Sequence, residues 1–142
     1  MEQNNLYGKW TSGTGKSYGF DNVCNDISAH VSNNGKIFIG TDSFIAGSQC
    51  IFATAICLHG ATGQSGGRYF FKRSKSARED FPKLLLRMLR EAQDSIMVAI
   101  ELSELFPGAD VEIHLDIGSG TKSKTSKFIS ALTSYAKSAG FK

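Results

Sequence analysis

Three acidic residues, Asp42, Glu91 and Asp116, are spaced along this chain in a way that suits the binding of a divalent cation. Asp42 follows the compact apolar run "KIFIG", and Asp116 follows the alternating run "VEIHL". Two carboxylates close together repel each other unless a cation or a shared proton relieves the repulsion. Mg²⁺ takes one or two carboxylates and keeps waters and substrate phosphates as its other ligands. The pattern therefore predicts a cation site if the fold brings these residues together.

Each of the three acids also has a purely structural interpretation. Asp42 before Ser43 could form an Asx-turn that ends a strand. Asp116, which precedes "IGSG", could equally anchor a turn, and Glu91 could be an ordinary surface residue of a helix. Considered one by one, the residues leave these alternatives open.

A second candidate for chemistry is the run "SGTGKS" at residues 12–17, which resembles the end of a phosphate-binding loop. That motif needs a glycine five residues before its Gly-Lys pair, so that backbone N–H groups can surround the phosphates. Counting back five from Gly15 reaches Trp10, and the preceding residues lack an apolar run of strand length. The sequence therefore predicts a flexible loop here, and a nucleotide triphosphatase is the least favoured function.

Length and composition describe a single globular domain spanning residues 1–142, with a loop-rich segment at 1–19. Hydrophobic residues make up 41% of the chain and charged residues 20%, which is ordinary for a folded domain. The three cysteines lack metal-ligand spacing and read as buried side chains in a reducing compartment. No stretch is apolar enough to span a membrane and no secretory signal is evident, so we expect a cytoplasmic protein without a membrane partner.

Charge is distributed in blocks although the net charge is only +3. One basic cluster, free of acids, comprises Arg68, Lys72, Arg73, Lys75 and Arg78. A second block begins at Ile117, after which there are five lysines and no carboxylate. Blocks of one sign favour a polyanionic partner, with a solvated surface as the alternative.

The elements that must position these residues follow from periodicity. Apolar spacing predicts a helix at residues 20–33, and compact apolar runs predict strands at 36–43, 49–60 and 68–73. A long helix from Asp80 to Pro107 is expected, with Asp80 as its cap and with an apolar repeat formed by Leu85, Leu89, Ala92, Ile96, Ala99 and Ile100. A fourth strand at 111–116 and a last helix at 124–138 complete the chain.

This order predicts an α/β fold with a mixed sheet. Three strands joined by short connections are antiparallel, and a helical crossover returns the chain to a fourth strand parallel to the first. Asp42 and Asp116 would then end neighbouring strands at the edge where ligands bind in open α/β proteins. Measured from Asp80, Glu91 lies about 16 Å and Glu101 about 31 Å along the helix, so Glu91 is the better third ligand.

Several segments of the chain resemble a bacterial and phage RNase H-like family that was long described as a domain of unknown function. The most specific are "GTDS" at 40–43 and "HLDIG" at 114–118, in the same order around the helix "LLLRMLREAQDS". The likeness runs from about Trp10 to Lys142. It implies an RNase H-like mixed sheet of five strands and a two-metal site for Mg²⁺ or Mn²⁺.

Carried over to this sequence, the resemblance makes Asp42, Glu91 and Asp116 both the metal ligands and the catalytic residues. One ion would lower the pKa of an attacking water and the other would stabilise the leaving 3′ oxygen. The implied function is hydrolysis of a nucleic-acid phosphodiester, with RNA in RNA/DNA hybrids as a candidate substrate. Structured nucleic acid is the expected partner.

Two departures from the family pattern affect these expectations. Phe44 stands where glutamine is common, which is expected to alter a substrate contact. The sequence also stops at residue 142, where a fifth strand and a further acid would follow, so the C-terminal strand is apparently missing. The alternative function is a catalytically inactive nucleic-acid-binding or assembly module. An unpaired outer edge of the fourth strand would favour homo-oligomers.

Basic residues near the expected site are the candidates for phosphate contacts. They are Lys122, Lys124 and Lys127, which follow Asp116, and Arg73 and Lys75 in the earlier cluster. The aromatic residues of "RYFFKR" are expected to pack in the core. His114, two residues before Asp116, is interpreted as a half-buried structural histidine and not as a general base.

Overall fold

The computed structural model of the chain describes residues 8–63 and 67–114. These residues form two helices and six strands, with a short 3₁₀ turn at Arg78–Asp80. The elements in chain order are β1 (Lys9–Ser12), β2 (Ser17–Gly19), α1 (Phe20–Ser32), β3 (Lys36–Ala46), β4 (Gln49–His59), β5 (Arg68–Ala77), α2 (Leu84–Leu105) and β6 (Asp110–His114).

All six strands belong to one mixed sheet in the order β2-β1-β5-β4-β3-β6. β3, β4 and β5 pair antiparallel, and β6 pairs parallel with β3 after the α2 crossover. The last described pair of β3 with β6 joins Gly40 to His114. The predicted α/β class with a mixed sheet is confirmed, and β4 is central as its apolar sequence indicated.

The N-terminal segment contains more structure than the sequence suggested. β1 and β2 form a hairpin, and β1 extends the sheet by pairing Thr11 with Phe71 of β5. Trp10 is fully buried in the core. The predicted loop was wrong at these positions because short polar strands acquire their stability from pairing with β5, which local sequence does not show.

Both helices pack against the same face of the sheet, which we call the covered face. The core there draws on both helices and on five of the strands, and its large members are Trp10, Phe20, Ile27, Ile37, Ile39, Ile56, Leu58, Phe70, Ile96 and Leu102. The opposite face, which we call the open face, has no helix of the described residues packed on it.

Helix α2 differs from its prediction at its first residue and over part of its predicted apolar face. It begins at Leu84 and not at Asp80, which lies in the 3₁₀ turn, so Asp80 does not cap it. Leu89 and Ile100 are exposed, although their spacing placed them among the core positions. Ala92, Ile96 and Ala99 of the predicted set are buried, so the prediction is confirmed for these three. The sheet-facing side also includes buried polar residues, which a search for apolar periodicity does not find.

Strand β3 is longer than expected. The sequence predicted that it would end at Asp42, but pairing with β4 continues through Ala46 opposite Gln49. The turn that follows uses Gly47 with a φ of 61°, a conformation that glycine adopts without strain. Asp42 therefore lies within a strand, which excludes the interpretation of this residue as an Asx-turn that ends it.

Part of the predicted architecture lies outside the described residues. This applies to Asp116, to the lysines Lys122, Lys124 and Lys127, to the helix expected at 124–138 and to the question of a fifth strand. Within the described part of the chain, neither helix is both long and apolar enough to cross a membrane.

Candidate functional site

Asp42 lies on the open face of the sheet. Side chains alternate between the two faces of a strand, and on β3 Ile39 and Thr41 are buried on the covered face while Asp42 is exposed. Asp42 pairs with Ala53 of β4. With His114 and Phe38 it lines a shallow furrow of about 390 Å³. Its carboxylate is therefore accessible to a ligand on this face.

The register of β3 with β6 bears on the expected pairing of Asp42 with Asp116. Gly40 is opposite His114, and the two aspartates stand two positions further along in their own segments. Asp116 itself lies outside the described residues. The meeting of these two carboxylates therefore stays a prediction.

Glu91 lies on the other side of β3. It is half-buried on α2 and accepts a short hydrogen bond from Oγ of Ser43, the neighbour of Asp42. Arg87, one turn earlier on α2, donates from Nε to the same Oγ at 3.1 Å and from a terminal nitrogen to the Ser43 carbonyl at 3.0 Å. Ser43 thus joins the helix to the strand through both charged residues.

The structure does not bring Asp42 and Glu91 into one cluster. Asp42 is exposed on the open face, whereas the partner of Glu91, Ser43, belongs to the opposite face of the same strand. Within residues 8–63 and 67–114, no three His, Cys, Asp or Glu side chains are grouped so that they could hold a metal ion. The described residues therefore do not assemble a site that uses both acids.

Beyond Glu91, polar contacts between α2 and the sheet continue into the core. Thr41 Oγ1 lies 2.7 Å from Ser95 Oγ and 3.0 Å from Thr54 Oγ1, and all three side chains are buried. Buried hydroxyls cost free energy unless they are hydrogen-bonded. This network fixes the middle of α2 over the segment of β3 that carries Asp42.

A buried ion pair lies beside this network. Arg90 donates from Nε to Asp94 at 2.9 Å, and its guanidinium lies 4.8 Å from the ring centroid of Phe52. Burial raises the pKa of the Asp94 carboxyl above its ordinary value, and the charge and hydrogen bond of Arg90 oppose that rise. Oδ2 of Asp94 is buried and has no hydrogen-bond partner among the described residues.

Sequence reasoning missed these buried polar residues. The spacing of Arg90 and Asp94 by four residues is a signal for a helical ion pair, but it does not distinguish a buried pair from an exposed one. Nothing in the sequence marked Ser43 beyond its place next to Asp42. Its role depends on α2 crossing β3 at this point, which is a property of the tertiary fold.

The predicted phosphate-binding residues of β5 lie on one face of the strand, and their contact with phosphate stays a prediction. Arg73 and Lys75 are exposed on the open face. The aromatic residues divide between the two faces. Phe70 is fully buried in the core, as predicted, but Tyr69 is 45% exposed on the open face, so the prediction was wrong for that ring.

His114 is exposed at the end of β6, not half-buried. Its ring lies 4.8 Å from the ring of Phe38, centroid to centroid, at an angle of 54°. On the same strand Val111 and Ile113 are buried, so the alternation predicted for this segment is confirmed.

The "SGTGKS" segment forms the connection between β1 and β2 and uses its backbone internally. The amide of Gly15 donates to the Ser12 carbonyl at 2.9 Å, and that of Lys16 donates to Ser12 Oγ at 3.2 Å. The amide of Gly13 donates to the Tyr69 carbonyl at 3.1 Å. A phosphate-binding loop needs these groups for its ligand, so the structure supports the rejection of that motif.

Comparison with known proteins identifies one family. The model described as "Ribonuclease H-like" matches residues 20–142, which includes Asp42, Glu91 and Asp116. A search of the curated proteins found no match. The same was true of the solved structures. The match covers more than half of the chain and begins where α1 begins.

Proposed function

Since the chain belongs to the ribonuclease H-like family, we propose that it is a metal-dependent nuclease that hydrolyses a nucleic-acid phosphodiester. The family indicates a nuclease-like or nucleic-acid-related role, and the metal requirement and the hydrolysis are our proposal. RNA in an RNA/DNA hybrid is the first substrate to test.

The placement of Asp42 is the observation that carries this proposal. An exposed carboxylate in the middle of a strand, beside a furrow of small side chains, does not contribute to the hydrophobic core. No ion pair of Asp42 is found among the described residues. Such a group is suited to bind a cation or a polar ligand.

The donor set is chemically suited to Mg²⁺ or Mn²⁺. Asp42, Asp116 and Glu91 all offer hard oxygen atoms, which these ions prefer. Glu91 accepts a hydrogen bond from Ser43, but an ionised carboxylate has about four acceptor sites and can keep this bond while it binds an ion. We propose Asp42 and Asp116 as the primary ligands and Glu91 as the third.

Ions held by Asp42, Asp116 and Glu91 would supply the Lewis-acid chemistry for attack by water and departure of the 3′ oxygen. The protein side chains position the substrate. Ser43 and Arg87 hold Glu91 towards β3. Arg73 offers a cation for a backbone phosphate. Arg73 pairs with Ala53, and Ala53 pairs with Asp42, so Arg73 lies two strands from the acid, about 10 Å away.

A cleavage assay on labelled RNA/DNA hybrid, duplex DNA and single strands tests the proposal. We expect cleavage with Mn²⁺ that stops in EDTA and in Asp42→Asn. Asp110→Asn is the matched control, because Asp110 is also an exposed aspartate, at the other end of the same pair of strands. Cleavage that survives in EDTA or in Asp42→Asn would contradict the mechanism.

One observation favours the alternative of a catalytically inactive binding module. Asp42 and Glu91 are on opposite faces of β3, and a two-metal site requires its ligands to meet. If the wild-type protein binds nucleic acid in a salt-sensitive way but cleaves no substrate with Mn²⁺, the binding module is the better description.

A further inference from the structure

The open face of the sheet has the character of a binding surface. Tyr69 is 45% exposed there, although it lies on a strand of the central sheet. Phe71, two residues on, is half-buried, and both described helices pack on the other face. A surface on which aromatic rings stay exposed in a folded domain is a candidate for recognition.

Three side chains form a continuous row along β5. The rings of Tyr69 and Phe71 are nearly parallel, with centroids 6.4 Å apart and an interplanar angle of 29°. The guanidinium carbon of Arg73 lies 5.6 Å from the centroid of Phe71. Two flat rings and a planar cation thus follow one another on the same side of the strand, and we call them the β5 row.

Beside the β5 row the sheet surface carries very small side chains. Phe71 pairs with Ala55, which pairs with Gly40, so the positions across the next two strands carry almost no side chain. The next residue in this direction is His114 on β6. These small residues line the 390 Å³ furrow together with Phe38, Asp42 and His114. The β5 row lies on the strand next to the furrow.

Charge on the open face is divided between its two sides. Lys9 on β1 and Arg73 on β5 are exposed cations on the side of the β5 row. Asp42, Asp110 and Glu112 lie on the side of β3 and β6, together with the cation Lys36. A polyanion is therefore attracted to the β5 row and repelled by the carboxylates across the furrow.

We infer that the open face binds single-stranded nucleic acid, with bases stacked on Tyr69 and Phe71 and a phosphate beside Arg73. Aromatic rings on an exposed sheet accept the faces of unstacked bases, which single strands offer and duplexes hide. An apolar protein partner would not account for the cations that accompany the rings. The inference goes beyond the proposed hydrolysis, because stacking requires neither metal nor cleavage.

The turn between β1 and β2 supports the position of Tyr69. A side chain at Gly13 would place its Cβ 2.9 Å from the Tyr69 ring, so the absence of a side chain lets the ring lie against the turn. The amide of Gly13 also bonds the Tyr69 carbonyl. The "SGTGKS" segment thus acts indirectly, by holding an aromatic ring and not by holding a phosphate.

Fluorescence anisotropy with a labelled single-stranded 12-mer, in EDTA so that hydrolysis is excluded, tests this inference. We expect the single strand to bind more tightly than a 12-base-pair duplex. Tyr69→Ala is expected to weaken single-strand binding by about 5- to 100-fold, the range for loss of one stacked base. Arg73→Gln should weaken binding and lower the salt slope by about one.

Two controls separate stacking from general charge or damage to the fold. Tyr69→Phe keeps the ring and should bind as the wild type does. Leu105→Ala removes an exposed apolar side chain of similar exposure, 46%, from the end of α2 and should have no effect. Equal affinity of Tyr69→Ala and wild type, or equal affinity for single strand and duplex, would overturn the inference. Binding that depends on the Tyr69 ring supports it whether or not the protein cleaves.

Discussion

The two faces of the sheet use similar residues for different purposes. On the covered face, apolar side chains pack with the helices, and polar residues such as Thr41 and Ser95 are fully hydrogen-bonded to each other. On the open face, rings and charges remain exposed with small residues between them. Apolar content alone does not distinguish the faces. What distinguishes them is whether the described helices cover the side chains.

The covered face should be most sensitive at its buried ion pair. Arg90→Leu leaves the carboxylate of Asp94 buried without its partner, and we expect a loss of about 3–5 kcal/mol in the free energy of unfolding at neutral pH. Urea denaturation measures it. The double variant Arg90→Leu/Asp94→Leu should recover most of the loss, because neither charge then remains buried.

The loss in Arg90→Leu should also depend on pH. Burial raises the pKa of the Asp94 carboxyl, and Arg90→Leu removes the charge and the hydrogen bond that oppose this rise. A carboxyl with a raised pKa takes up its proton more readily in the folded state, so folding gains stability as pH falls through that pKa. The deficit relative to wild type should therefore shrink from neutral to mildly acidic pH. A deficit that grows instead contradicts this assignment.

Two phenylalanines on neighbouring strands allow a direct comparison of the faces. Phe52 is fully buried on the covered face, against Arg90 and Phe81, whereas Phe71 is half-buried on the open face. We expect Phe52→Ala to reduce the free energy of unfolding by about 2–3 kcal/mol more than Phe71→Ala does, because less surface is buried at Phe71. Equal losses would show that the open face is packed as a core.

A smaller loss of stability is expected for a substitution in the connection between α1 and β3. Gly35 is buried, and a Cβ there would overlap the ring of His30, whose Nε2 lies 2.8 Å from the Lys36 carbonyl. Gly35→Ala should therefore cost about 1–3 kcal/mol, as overpacking does. The matched variant is Gly19→Ala, since a Cβ at Gly19 meets nothing within 4 Å. Thermal unfolding of both variants tests the difference.

The smallest expected effect concerns the contact of α2 with β3 through Ser43. Ser43→Ala removes the hydroxyl that bonds both Glu91 and Arg87. We expect a loss of about 1–2 kcal/mol in stability, at the lower end for hydrogen bonds to charged groups because the contact is only partly buried. If the contact also positions Glu91 for catalysis, the variant should lose activity while it binds single strands normally. Loss of single-strand binding would contradict the separation of the faces.

Local patterns predicted much of the fold. The periodicity of residues 20–33 and the alternation of Val111 and Ile113 are properties of single segments, and the structure confirms both. The β1–β2 hairpin was missed because its stability comes from pairing with β5. The burial of Arg90 and Asp94 was missed because charged residues on a helix usually face solvent, and only the tertiary contact reverses this.

The candidate site was predictable in its residues but not in its geometry. The type and spacing of Asp42 and Glu91 marked them as possible ligands. Their separation onto two faces depends on β3 continuing past Asp42 into a hairpin. The polar residues "GTDS" instead suggested that the strand ends there. Tyr69 was missed because an aromatic residue in a strand is usually buried, and the sequence does not show which face the helices cover.

The most direct test is to measure which cysteine a bound single strand protects from alkylation. Cys57 lines the furrow on the open face and pairs with Tyr69, whereas Cys24 is half-buried on α1. Burial raises the pKa of both thiols, so alkylation is measured at alkaline pH by mass spectrometry. With saturating single-stranded 12-mer, we predict that alkylation of Cys57 slows while that of Cys24 does not change. Unchanged alkylation of Cys57 at saturation would contradict binding on the open face.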